Sequence, residues 1–177
     1  LLAMASALRE RRVPKWTDNQ HSMWLCLHLY ECSTGERKNA VGLAMAGDTA
    51  VRRLDLVWVD AAGHEVPMTQ EHIRAQRNGA TLRGSAAAGK TDRFRIIWGN
   101  RYQWFILDDS DPLNFAKAWQ QHELACPCPP TQRAQWAAFG KDGGSTAYST
   151  ATLDTHFHKL LQVAAGAADA TGRTFHD

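Results

Sequence analysis

Residues 84–91 read Gly-Ser-Ala-Ala-Ala-Gly-Lys-Thr and satisfy, letter for letter, the G-x-x-x-x-G-K-[ST] pattern of a phosphate-cradling loop. Such a loop works because it leaves a buried strand and opens a helix, whose N-terminal N–H groups hold the anion. The flanks here do not supply that frame. Residues 80–83, Ala-Thr-Leu-Arg, are too short and polar for a central strand, and Thr91 is followed by Asp92 and a strand over 93–98 rather than a helix. Residues 105–109, Phe-Ile-Leu-Asp-Asp, imitate the aspartate-bearing strand of nucleotide-binding proteins but form the far arm of a hairpin. The segment reads as a flexible connector, and no cofactor is expected.

Metal chemistry meets similar obstacles. Asp108, Asp109 and Asp111 are clustered carboxylates of the kind that hold Mg²⁺ or Ca²⁺. However, Asp111 is placed to cap a helix, and Asp108 and Asp109 flank a solvated turn. His156 and His158 are spaced to share one metal on a strand, where residues i and i+2 lie on one face. On a helix they diverge by about 200°, and the apolar residues around them recur with helical period. Cys126 and Cys128 with two of His122, His156 and His158 would make a tetrahedral zinc set, but Cys-x-Cys departs from the usual Cys-x₂₋₄-Cys half-site. The same spacing argues against a zinc deaminase built from His64, Glu65 and the Pro-Cys pair. No G-x-S-x-G elbow occurs, and no flanking pattern supports Cys–His catalysis. The sequence therefore assigns no catalytic and no metal residue, and leans away from an enzyme.

Charge is more informative than any motif. The 177 residues carry a net charge of only +2, yet residues 73–104 hold Arg74, Arg77, Arg83, Lys90, Arg93, Arg95 and Arg101 against the single acid Asp92. Within that region residues 93–98 and 101–107 are two strands joined by Gly99-Asn100, and Gly at the first loop position is what a type II′ turn requires. The register then places Phe94, Ile96, Trp98, Phe105 and Leu107 on one face, which should meet the core. The other face carries Arg93, Arg95, Ile97, Tyr102, Trp104 and Ile106, with Arg95 opposite Trp104 for a cation–π contact. Bare to solvent, that face is a patch that a lone soluble protein avoids. Arg93, Arg95, Tyr102 and Trp104 are the expected binding residues.

These residues need elements to position them. Residues 23–32, Met-Trp-Leu-Cys-Leu-His-Leu-Tyr-Glu-Cys, alternate at period 2 and predict a strand. On such a strand Cys26 and Cys32 lie roughly 20 Å apart and cannot pair. A polar turn with Gly35 leads to a second strand over 40–46, and residues 51–59 form a third, closed by Asp60-Ala-Ala-Gly63. A short helix is predicted over 69–76. Beyond residue 110 the pattern turns helical: a helix from the Asp111 cap and Pro112 to Leu124, and a second from Thr131 to before Gly140. After a flexible link at Gly143-Gly144-Ser145, a last helix from Leu153 carries Leu153, Phe157, Leu160, Leu161, Ala164 and Ala168 on one stripe. The fold class is α+β: an antiparallel sheet over 23–107, including hairpin 93–107, packed by helices over 112–168.

Composition bounds the rest. With 44% hydrophobic and 21% charged residues, the chain is neither disordered nor collagen-like, and it has no run of 18 apolar residues to span a bilayer. Residues 1–16 hold four basic residues and one acid, start from Leu1, and place Leu1, Met4 and Leu8 on one face of a short helix; they read as a basic N-terminal arm ahead of a single domain over 17–177, either the tail of an organellar presequence or an amphipathic arm lying on a partner or on its own domain. Four cysteines without a framework suit a reducing, intracellular compartment, with the mitochondrial matrix side as the specific expectation. Seven tryptophans exceed what the core of one such domain can hold centrally. Together these features point to a non-enzymatic interaction or structural subunit of a larger assembly, with other protein subunits as partners. An RNA- or DNA-binding module using the basic hairpin is the first alternative, and a metal-dependent hydrolase or nuclease the second.

Overall fold

The computed structural model describes residues 1–35, 51–85 and 102–166. The chain begins with helix α1 (Leu2–Arg9) and helix α2 (Asp18–Thr34). Strand β1 (Leu56–Val59) follows a 3₁₀ turn at Arg53–Asp55, and helix α3 (Gln70–Ala75) leads to β2 (Thr81–Ser85). Then come β3 (Tyr102–Ile106), helix α4 (Phe115–Ala125), the two-residue strands β4 (Gly140–Lys141) and β5 (Thr146–Ala147), and helix α5 (Thr150–Ala165). The fold is α+β. Its main sheet is antiparallel in the order β1-β2-β3, and helices pack against it.

The segment expected as the first strand is instead the central helix. Thr17 Oγ1 accepts from the Gln20 N–H at 3.2 Å, while Gln20 Oε1 accepts from the Thr17 N–H at 2.8 Å, a reciprocal capping box in the T-x-x-Q register. Gly35, at φ 68°, ends the helix in the left-handed conformation glycine favours. Met23, Trp24, Leu25, Cys26, Leu27, Leu29 and Tyr30 are all buried. A helix covered on nearly every side has no polar stripe, so its period is hidden and chance alternation dominates. On this helix Cys26 is buried, Cys32 is exposed, and both are free thiols.

The converse error falls on β2. Of residues 80–83, Thr81, Leu82 and Arg83 belong to the middle strand of the sheet, paired to β1 (Trp58 opposite Leu82) and β3 (Leu82 opposite Phe105). Its Thr-Leu-Arg-Gly-Ser alternates outward polar with inward apolar or bare positions, and Gly84 stands where a side chain would crowd the core. A Cβ there would lie 3.1 Å from Phe105 Cε2 and 3.3 Å from Leu56 Cδ2. The connector reading therefore fails for Gly84 and Ser85, and residues 86–91 lie outside the described residues.

Four further readings change. Asn114, not Asp111, caps α4 by accepting from the Lys117 N–H at 2.9 Å, while Asp111 closes an Asx turn on the Leu113 N–H. No α-helix follows Thr131; a 3₁₀ turn at Pro130–Gln132 leads into backbone bonds joining Trp136 and Ala138 to Arg53 and Val51. Residues 143–145 are not a loose link. They turn tightly between β4 and β5, and a Cβ on Gly144 would meet the Ala137 carbonyl oxygen at 2.5 Å. The last helix starts three residues earlier than expected, at a Ser149 cap, and buries Leu153, Leu160 and Leu161. The strand expected over 40–46, the first hairpin arm over 93–98, its turn at Gly99-Asn100, and Ala168 all lie outside the described residues.

The core joins both ends of the described chain. Met4, Ala5, Ala7 and Leu8 of α1 share one cluster with Trp24, Trp58, Trp119, Phe139 and Tyr148 and with Leu160 of α5. Among the described residues no helix is long and apolar enough to cross a membrane.

Candidate functional site

Strand register determines what the sheet offers to solvent. Leu56, Trp58, Leu82, Gly84, Gln103 and Phe105 turn inward, so their neighbours along each strand turn outward. On β1 the outward Val57 and Val59 are buried, and a returning segment pairs along that strand through Val66 N–H to the Trp58 carbonyl at 2.8 Å. On β3 the outward side chains stay open: Tyr102 is 45%, Trp104 56% and Ile106 55% exposed. The alternation within 102–107 thus orients as the sequence predicts, with Phe105 against the core and Leu107 buried.

Arg83 crosses from β2 onto this face. It lies opposite Trp104 in register, its guanidinium is 4.8 Å from the Tyr102 ring centroid, and it pairs with Glu65. The Tyr102 and Trp104 rings are 6.3 Å apart. Of the four binding residues expected from sequence, Tyr102 and Trp104 sit together on the open face; Arg93 and Arg95 lie outside the described residues. Arg83 and Glu65 were missed because their place depends on recognising β2 as a strand.

The other candidates are dispersed or engaged. Asp108 Oδ1 accepts from the N–H and hydroxyl of Ser110, and the Ser110 hydroxyl bond holds its carboxyl below the usual range. Asp109 pairs with Lys117 at 3.3 Å, and Asp111 serves its turn. His156 packs against Trp16 and Trp24, His158 bonds the Asp154 carbonyl, and His122 lies in a separate network. Among the described residues no group of three or more His, Cys, Asp and Glu is placed to hold a metal.

That network has no counterpart in the sequence reading. Glu123, on α4, takes Arg133 through both oxygens at 2.9 and 3.0 Å and Arg53 at 3.1 Å, and Glu123 and Arg53 are fully buried. Arg133 also donates to the carbonyls of Arg53 and Leu56, and Arg53 to those of Cys126 and Gly143. One nitrogen of Arg53 lies 3.2 Å from His122 Nε2, and Ser22 Oγ lies 2.7 Å from His122 Nδ1. A serine–histidine pair invites a nucleophile reading, but the guanidinium decides against it. Arg53 has only N–H groups to offer, so Nε2 must accept and the ring proton sits on Nδ1, where it donates to Ser22. Burial, and next the Arg53 charge, push the His122 pKa down to about 3. An imidazole already donating to the hydroxyl cannot take its proton, so this is a structural clamp between α2, α4 and the 53–55 turn.

Comparison with known protein families, curated proteins and solved structures finds no match for this chain.

Proposed function

We propose that the protein is a non-enzymatic interaction subunit that docks a protein partner on the outer face of its sheet. The observation that supports this is the trio Tyr102, Trp104 and Ile106, each 45% exposed or more and contiguous on β3. Aromatic residues and arginine are the types that anchor interfaces, and Arg83 stands beside them already oriented by Glu65. An apolar row this open is costly to leave in water and gains by being covered. The reading does not need the buried histidine clamp to do chemistry, and the local bonding leaves that clamp none to do.

The test is native mass. In its source extract the wild-type chain should run in a species well above 19.7 kDa, and Tyr102→Ser with Trp104→Ser should return it to monomer mass at an unchanged melting temperature. A chain that runs as a monomer at every concentration, or whose assembly ignores both substitutions, contradicts the proposal. If assembly instead collapses with a steep salt dependence after nuclease treatment, the partner is nucleic acid.

A further inference from the structure

The open part of the sheet is a strip rather than a plane. On β1 the outward Val57 and Val59 are buried, so the exposed apolar surface is confined to Tyr102, Trp104 and Ile106 on β3. Outward side chains two residues apart on a strand stand about 6.7 Å from one another, which makes this row about 13 Å long. At its exposures the trio offers roughly 300 Å² of side-chain surface. A folded partner with an interface of ordinary size covers about 800 Å². An extended segment of about four residues, by contrast, spans the length of the row. Area and length both match a short linear segment. They fall short of a second globular surface, another copy of this chain included.

Charge then selects the segment. Among the described outward positions of the three strands Arg83 is the one cation, flanked along β2 by the neutral Thr81 and Ser85. It is already engaged: Glu65 pairs with its guanidinium, which lies 4.8 Å from the Tyr102 ring centroid, and its side chain is only 18% exposed. Glu65 is 60% exposed and gives Arg83 one of its two carboxylate oxygens. What a partner meets beside Tyr102 is therefore a carboxylate, with the cation behind it. A nucleic-acid backbone finds an exposed acid here and no open cation on the described strands, so the two rings alone do not favour it. A lysine or arginine finds an acceptor.

We propose that this strip docks a short, extended, apolar segment of a partner protein that carries a basic residue. Its apolar side chains lie among Tyr102, Trp104 and Ile106, and its basic one meets Glu65. Proline suits such a segment, because it is extended before binding and packs on aromatic rings without needing bonds from the sheet. The inference rests on the docking role of this face and adds the class of partner.

The experiment titrates the folded, full-length protein with the peptide Arg-Leu-Pro-Leu-Pro-Arg, both ends blocked; an arginine at each end serves either chain direction. Controls are the same peptide with glutamate at both ends, one with serine and glycine in place of leucine and proline, and an oligouridylate. Binding is read from the Trp104 indole and Ile106 methyl resonances. The arginine peptide should give saturable shifts. The glutamate peptide should bind at least about threefold more weakly, the scale of an exposed ion pair gained or lost, although a chain of net charge +2 attracts it at long range. Glu65→Gln, which keeps an oxygen for Arg83, should bring the two peptides within about twofold of each other. Trp104→Ser should abolish saturable shifts of Ile106, with an unchanged melting temperature. No saturable binding of the arginine peptide, equal affinity for either peptide control, an undiminished preference in Glu65→Gln, or oligouridylate binding at the same resonances would overturn the proposal. The docking role is read separately: it stands through those results if native assembly still depends on Tyr102 and Trp104, and falls with the proposal if it does not.

Discussion

Glu123 is the residue on which the buried polar centre depends. With both oxygens engaged by Arg133 and one also by Arg53, its removal would strand two guanidinium groups in the core. Breaking a buried pair on one side typically costs about 3–5 kcal/mol, because the remaining charge loses its partner without regaining water. Glu123→Gln should therefore lower urea stability by that order, whereas Trp104→Ser, on an open face, should change it by less than about 0.5 kcal/mol. Comparable losses from the two would mean that Glu123 is not the hub. The neighbouring histidine gives a pH test. The ring of His122 is held neutral, its pKa lowered from 6.5 to about 3, and that of His28 is lowered to about 4, mainly by burial. Both pKa values are lower folded than unfolded, so the unfolded chain binds more protons below pH 6.5 and stability must fall with acid. Each ring should contribute a slope of up to about 1.4 kcal/mol per pH unit as pH drops from about 6.5 towards 4. His122→Gln should remove one of the two slopes; an unchanged pH profile would mean that the ring is not held neutral in the fold.

Elements are where sequence and structure part company. The helix at 70–75, the orientation of β3 and the stripe of α5 could be read because each shows one wet and one dry face, or a cap at the expected offset; of the strand expected over 51–59 only Leu56–Val59 is one, legible from its continuous apolar run because it is buried on both faces. For α2 neither faces nor period were available, and only Thr17 and Gln20 identified it; the capping box outweighs an alternation of leucines that packing on all sides makes uninformative. Thr17→Ala should accordingly cost α2 about 1 kcal/mol, read as a lowered melting temperature, with Thr17→Ser near neutral. If the two variants melted alike, the cap would not be what starts the helix. The strand β2 was hidden for a different reason. Gly84 lacks the side chain that would have marked an inward position, and the need for glycine there comes from Phe105 and Leu56, which are distant in sequence. The Arg53–Glu123–Arg133 network was invisible for the same reason, since pairs separated by 70 and 10 positions leave no local pattern. Of the candidate site, the aromatic half was legible from alternation alone, while its arginine, Arg83, depended on the strand that was missed.

At the scale of the molecule, the ends of the described chain are tied together. Helix α1 packs on both α2 and α5, so contacts between the first and last described helices close over the whole intervening fold. Leu8 is 1% exposed and Ala5 and Ala7 are fully buried, and Arg9 reaches across to the Pro112 carbonyl. A basic arm lying outside the domain would show none of this. Truncating Leu8 to alanine in such surroundings should cost about 2–5 kcal/mol, the usual range for a large aliphatic side chain in a packed core. Deleting residues 1–10 should cost more, because it also bares the apolar surfaces that α2 and α5 turn towards α1. Unfolding should then show a lowered urea midpoint and increased dye binding to exposed apolar surface, while Leu8→Ala alone keeps one cooperative transition at a lower midpoint. Should the truncated chain unfold at the full-length midpoint, α1 is an appendage and the domain begins after it.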